Sequence, residues 1–129
     1  MISTTSLVFM CLTALFTTLG PIIAAILFHK RQKYYLGSVF IGAAVFFLFQ
    51  MVARIPLITL VLPNMQWYKD MSANLWANAL FLGFTAGLFE EAGRYLAFIL
   101  VLKKHQDWKN AVAFGIGHGG IEAILLVGL

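Results

Sequence analysis

The sequence predicts an all-α fold, a polytopic bundle of about four transmembrane helices, and two observations lead to it. First, 61% of the 129 residues are hydrophobic and only 11% are charged, whereas a soluble domain is about 45–50% apolar and about 25% charged. Second, the apolar residues fall into four stretches that each reach the roughly 20 residues a helix needs to cross a bilayer. Alternating segments of about ten residues, which a β-barrel requires, do not occur in the sequence. We therefore predict an integral multi-pass membrane protein with a single transmembrane domain over residues 1–129.

The four predicted spans are residues 5–28, 36–62, 75–102 and 111–129. The first is uncharged, follows no basic segment and is too long for the apolar part of a signal peptide, so we interpret it as a true span. The second contains Arg54 and Pro56, the third contains three ionisable residues, and the fourth contains a histidine and a glutamate.

Lysine and arginine set the predicted orientation. Residues 29–33 and residues 103–109 each carry three of them, and none precedes the first span. The positive-inside rule then places the N-terminus outside and the first and third loops in the cytoplasm. Because topology accounts for the net charge of +4, we predict a lipid bilayer and no nucleic acid as partner. The compact polytopic form is typical of a prokaryotic plasma membrane, and the sequence leaves the oligomeric state open.

Ionisable residues inside the spans are the functional candidates, because a charge near the bilayer centre costs about 2.5–3.5 kcal/mol. Glu90 lies 13 residues before Lys103 and His118 nine residues after Lys109, which places them roughly 20 Å and 13 Å from the cytoplasmic end. Antiparallel neighbouring helices could therefore bring the two side chains together near the middle of the membrane.

Pairs of glycines four residues apart predict how the third and fourth spans meet. Gly83 and Gly87 precede the charged residues of the third span, and Gly115 and Gly119 flank the histidine of the fourth. Such small residues let membrane helices approach closely. This packing would gather the candidate site residues at one helix interface, namely Glu90, Glu91, Arg94, His118 and Glu122.

Each candidate has a structural and a functional interpretation. A glutamate and Arg94 could form only a structural ion pair, but two adjacent carboxylates beside one arginine leave one of them free to act as a general base. Glu122, one helical turn after His118, could orient the imidazole or bind a metal together with it. Arg54 is interpreted as an anchor at the outer interface or as the partner of a carboxylate in the third span.

The same residues carry a family resemblance. Residues 90–94, EEAGR, resemble the paired-glutamate motif of the CAAX-protease and bacteriocin-processing membrane proteases, and residues 114–118, FGIGH, resemble their Phe-x-x-x-His motif. Residues 90–95 together with residues 117–122 resemble in particular the YhfC-type intramembrane proteases, as do residues 54–56, RIP, less specifically.

The resemblance implies an intramembrane endopeptidase acting on a peptide or membrane-anchored protein substrate. Glu90 would activate a water molecule and His118 would assist, while Arg94 would hold Glu91 ionised; the two glutamates could exchange roles. We favour this route without a cofactor. The alternative is a zinc metalloprotease in which Glu90, His118 and Glu122 bind the metal and leave one position open for water.

Two departures from the family pattern matter. The arginine comes one residue earlier than in the broader family, which fits the YhfC type, and a further motif with a later histidine or asparagine would follow Leu129. The chain is therefore expected to be an N-terminal part of a longer protein. The rival functions are a proton- or ion-coupled carrier, since intramembrane Glu, His and Arg also build proton relays, and a non-catalytic scaffold or immunity protein.

Overall fold

The computed structural model describes residues 1–128, which form a bundle of helices without a strand. The α-helices are α1 (Thr4–Gln32), α2 (Gly37–Phe46), α3 (Gln66–Ser72), α4 (Leu75–Leu96) and α5 (Trp108–Ala123). Three of them continue in other helical forms: α2 through the π-helical segments Phe47–Arg54 and Leu57–Val61 and the 3₁₀ turn Leu62–Asn64, α4 through the π-helical Ala97–Val101, and α5 through the π-helical Ile124–Gly128.

Among residues 1–128, three helical segments are long and apolar enough to cross a membrane, which confirms the predicted helical membrane fold. They are Thr4–Gln32, Gly37–Asn64 and Trp108–Val127. The third predicted span is helical over residues 75–101 and, at about 1.5 Å per residue, reaches about 40 Å. Its three charged residues set it apart from the other spans. Leu129, which ends the fourth predicted span, lies outside the described residues.

The second span changes its hydrogen-bonding pattern where it approaches Pro56. Proline has no N–H to donate to the preceding turn, and just before it the N–H of Ile55 donates to the carbonyl of Gln50, five residues back. This spacing is that of a π-helix, a form often found at functional sites. Gln50 and Arg54, the two polar side chains described below, both lie in this segment.

Helices α2 and α5 are in close backbone contact. A Cβ added to Gly117 would overlap the carbonyl oxygen of Val39, and one added to Gly42 would overlap that of Phe114. These two backbones therefore meet directly, as small residues permit in membrane helices. The hydrophobic core lies beside this contact and consists of Val45, Ala97, Leu102 and Phe114, with Ile41, Phe49 and Phe98 packed against them.

The predicted packing of the third and fourth spans through their glycine pairs is wrong, because in the described residues the two spans meet instead at Phe98 and Phe114, whose rings lie 5.1 Å apart. The spaces around Gly83, Gly87, Gly115 and Gly119 are open in the described structure. Helix α4 instead packs against α2 and its π-helical continuation, while α5 packs against the other part of α2 and against α1. The physical reason is that α2 supplies a better-fitting surface to both helices, with Gly42 on the side of α5 and Val45 against Gly93 of α4.

The two basic loops lie at the same end of the bundle. The side-chain oxygen of Asn110 accepts a hydrogen bond from the N–H of Tyr35 at 3.1 Å and from the hydroxyl of Ser38 at 2.7 Å. The rings of Tyr35 and His105 stack 4.2 Å apart. Loops one and three therefore share a face, as the alternating spans require, while the choice of the cytoplasm for that face stays a prediction.

Candidate active site

Glu90 is held by a side chain from the neighbouring span. The amide nitrogen of Gln50 donates to Glu90 Oε1 at 2.9 Å and, at 3.3 Å, to the backbone carbonyl of Ala86. Gln50 is only 3% exposed, and Glu90 is half-buried. Since a buried side chain with fixed partners has few alternative rotamers, one oxygen of Glu90 is held in a defined direction and the other stays available.

Arg54 completes this network from the opposite side of Gln50. Its guanidinium donates to Gln50 Oε1 at 3.2 Å, to the hydroxyl of Thr85 at 3.2 Å and to the carbonyl of Leu82 at 2.7 Å. The expectation that Arg54 pairs with a carboxylate of the third span is thus met only indirectly, because Gln50 stands between the two charged groups. These hydrogen bonds fix the orientation of the Gln50 amide, so that its oxygen faces Arg54 and its nitrogen faces Glu90.

His118 lies buried between aromatic rings, with 6% of its surface exposed. Its ring meets Phe46 edge to face at 5.3 Å and Phe114 in a stacked arrangement at 5.8 Å. Within residues 1–128 neither ring nitrogen has a hydrogen-bond partner; the carbonyl of Gly42 is close but lacks hydrogen-bond geometry. A buried polar group without a partner costs about 1–3 kcal/mol, so the imidazole is poised for a water, a substrate or a ligand.

The remaining candidates occupy different surroundings. Glu91 Oε1 and Arg94 Nη1 form an ion pair at 2.7 Å, but the two side chains are 67% and 46% exposed. Arg94 therefore pairs with Glu91, as the resemblance implies, on a face that the described residues leave open. Glu122 is half-buried, one helical turn after His118. Glu90, Arg94 and Glu122 are all near enough to interact electrostatically with the imidazole of His118.

The described residues do not assemble a complete metal site. Over residues 1–128, no three side chains of His, Cys, Asp or Glu lie close enough together to hold one ion. The predicted set of Glu90, His118 and Glu122 is therefore not a ready three-ligand zinc site, although the unpaired imidazole of His118 has the chemistry of one ligand.

Gln50 is the member of the network that sequence reasoning missed. Its signal was present: it is a polar residue in an apolar span, four residues before Arg54 and so on the same helical face. Polar residues in membrane helices often form hydrogen bonds across helices. Because a neutral amide costs less to bury than a charge, it is a weaker indicator of a functional site.

Comparison with known proteins gives this geometry a family context. The chain is 37% identical over 130 residues to a Bacillus subtilis protein called "Uncharacterized membrane protein YhfC", covering all of this chain and 50% of that relative. The chain thus spans half the length of the relative. No solved structure matches it. Residues 16–129 match the family described as YhfC intramembrane metalloprotease. The match confirms both the resemblance and the predicted location in a prokaryotic plasma membrane, and the chain belongs to the YhfC intramembrane metalloprotease family.

Proposed function

We propose that this chain contributes the catalytic glutamate and histidine of an intramembrane endopeptidase. The observation that carries the proposal is the fixed Glu90, which accepts a hydrogen bond from buried Gln50 at 2.9 Å. A general base must lie in a defined position relative to the water that it deprotonates. The membership of a family described as membrane proteases supports the same assignment.

The proposed reaction needs one water molecule and one peptide bond. Glu90 takes a proton from the water while the water oxygen attacks the carbonyl carbon of the peptide bond. The carbon–nitrogen bond then breaks as the leaving nitrogen gains a proton. His118 assists, because its unpaired ring nitrogens can bind the same water or deliver that proton. Arg94 orients Glu91 through their 2.7 Å ion pair.

The family description is what suggests a metal ion for this protein. Since residues 1–128 do not bring three ligands together, we assign no step to zinc. His118 is the residue of this chain that would bind such an ion, with the remaining ligands supplied by other parts of the protein.

The test compares cleavage in membranes that contain the full-length protein. New peptide termini in membrane proteins, mapped by mass spectrometry, should appear with the wild type and decrease at least about 100-fold with Glu90→Gln, because general-base catalysis contributes about 10²–10⁴-fold. Asp70→Asn is the matched control, since Asp70 is an exposed carboxylate paired with Gln66 outside the site. Unchanged cleavage by Glu90→Gln would disprove the assignment. About one zinc per wild-type chain, lost with His118→Ala, would favour the metal-dependent route instead.

A further inference from the structure

An apolar groove runs along the outside of the bundle between α1, α2 and α5, away from Glu90. Its volume is about 530 Å³, within the roughly 300–1,000 Å³ of typical small-molecule sites. Six of its lining residues are Pro21, Ala25, Ile26, Phe40, Ala43 and Ile121. The groove is open on one side, and Ile26 and Phe40 are largely exposed. A molecule in it would therefore touch both protein and surrounding lipid.

The groove has the depth of one membrane leaflet. It extends along α1 from Pro21 to Lys30, which is about 14 Å at 1.5 Å per residue. Half of a hydrocarbon core about 30 Å thick is about 15 Å. At its apolar end Pro21 lies against Gly120 of α5. An acyl chain whose headgroup lies at the basic end would reach this contact.

The open end carries positive charge and an unused polar atom. Lys30 and His29 line it, and the Nδ1 atom of His29 is buried without a hydrogen-bond partner in the described part of the chain. Tyr34 is already occupied, because its hydroxyl donates to the carbonyl of Ala25 at 2.8 Å. Burial raises the pKa of Tyr34, so it stays neutral. Among residues 1–128 no carboxylate lines the groove.

We infer that this groove binds one acyl chain of an anionic phospholipid, with the phosphate against Lys30 and His29. Basic side chains at the membrane surface attract anionic headgroups, and Arg31 and Lys33 of the same loop add to the positive potential. The apolar depth selects a lipid chain, and the charge at the mouth selects an anionic headgroup. This inference does not depend on the proposed peptidase activity.

Lipid binding to the purified full-length protein tests the inference. Native mass spectrometry should show one phosphatidylglycerol retained per chain, at least about fivefold more tightly than phosphatidylcholine, the factor expected for one basic side chain at an anionic surface. Lys30→Gln should reduce this preference about fivefold. Its control, Lys104→Gln, removes the same charge from the other basic loop and should preserve it.

A second pair of variants tests the apolar part. Ala25→Trp fills the groove and should weaken both lipids about tenfold, whereas Ala24→Trp adds the same ring at an exposed neighbouring position outside the groove and should not. Equal retention of the two lipids, equal effects within either pair of variants, or a groove filled by another helix of the protein or by a second copy would overturn the inference. Lys30 is exposed, so its variant remains informative if Ala25→Trp fails to fold.

Discussion

The substitution Gln50→Leu tests the network around Glu90 most directly. Leucine is similar in size to glutamine but has no polar atoms. The substitution removes the donor at 2.9 Å from Glu90 Oε1 and the acceptor at 3.2 Å from Arg54 Nη1. Glu90 and Arg54 both remain, but each loses its hydrogen bond to Gln50. Such a change is destabilising, because the remaining charges are left in a poorly solvated place.

The expected loss of unfolding free energy is about 1–4 kcal/mol. Hydrogen bonds to charged groups contribute about 1.5–3 kcal/mol in soluble proteins, but bonds between membrane helices average about 0.6 kcal/mol and reach about 2 kcal/mol. Two bonds at the membrane values give about 1–4 kcal/mol. Arg54 moderates the loss, since it keeps its bonds to Leu82 and Thr85.

The assay is a reversible denaturation in detergent micelles, analysed as a double-mutant cycle with Glu90→Leu, which removes the acceptor oxygen that a glutamine would keep. If the bond between Gln50 and Glu90 exists, the two substitutions should be coupled by at least about 0.5 kcal/mol. The control is Gln66→Leu, which removes a similar bond to Asp70 at 2.8 Å in an exposed helix and should change stability by at most about 0.5 kcal/mol. A Gln50→Leu variant as stable as this control, or additive effects in the cycle, would refute the reasoning.

Two further predictions concern packing and pH. Gly117→Ala should lower the unfolding free energy by about 1–3 kcal/mol, because the new Cβ meets the carbonyl of Val39. The control is Gly115→Ala, whose Cβ meets nothing and which should leave stability unchanged or raise it by up to about 1 kcal/mol. Equal effects of the two substitutions in the same denaturation would contradict the observed helix contact. The backbone N–H of Asn110, which donates to Asp107 at 2.8 Å, holds the pKa of that carboxyl below its ordinary value. The ionised Asp107 carboxylate therefore stabilises the fold above the ordinary carboxyl pKa, and this stabilisation is lost as the pH falls through the lowered pKa. The thermal midpoint of the wild type should decrease more steeply in acid than that of Asp107→Asn. Parallel curves for the two proteins would show that Asp107 is not responsible for the acid sensitivity.

Local properties of the sequence predicted most of the fold. Helix positions follow from continuous apolar stretches, because a backbone in lipid must satisfy its own hydrogen bonds. Counting residues from the basic loops predicts that Glu90 and His118 lie inside the membrane, and this depth stays a prediction. The two short motifs at residues 90–94 and 114–122 identified the family. All of these depend on composition and spacing along one helix.

Helix contacts were harder to predict. Ten glycines at described, internal positions offer several possible close approaches, and spacing alone favoured Gly83, Gly87, Gly115 and Gly119. The close contacts instead use Gly42 and Gly117. Which glycine is used depends on the shape of the opposing helix, and no pattern within one helix contains that information.

The sequence by itself therefore determined that this protein is a helical membrane protein of its family, with ionisable residues inside its spans. Only the tertiary structure decided that α2 lies against both α4 and α5, that Gln50 joins Arg54 to Glu90, and that His118 is enclosed by Phe46 and Phe114. The reason is physical: the preference for a helix in lipid arises within each segment, whereas the direction of a polar side chain depends on partners that only the packed helices bring within hydrogen-bond distance.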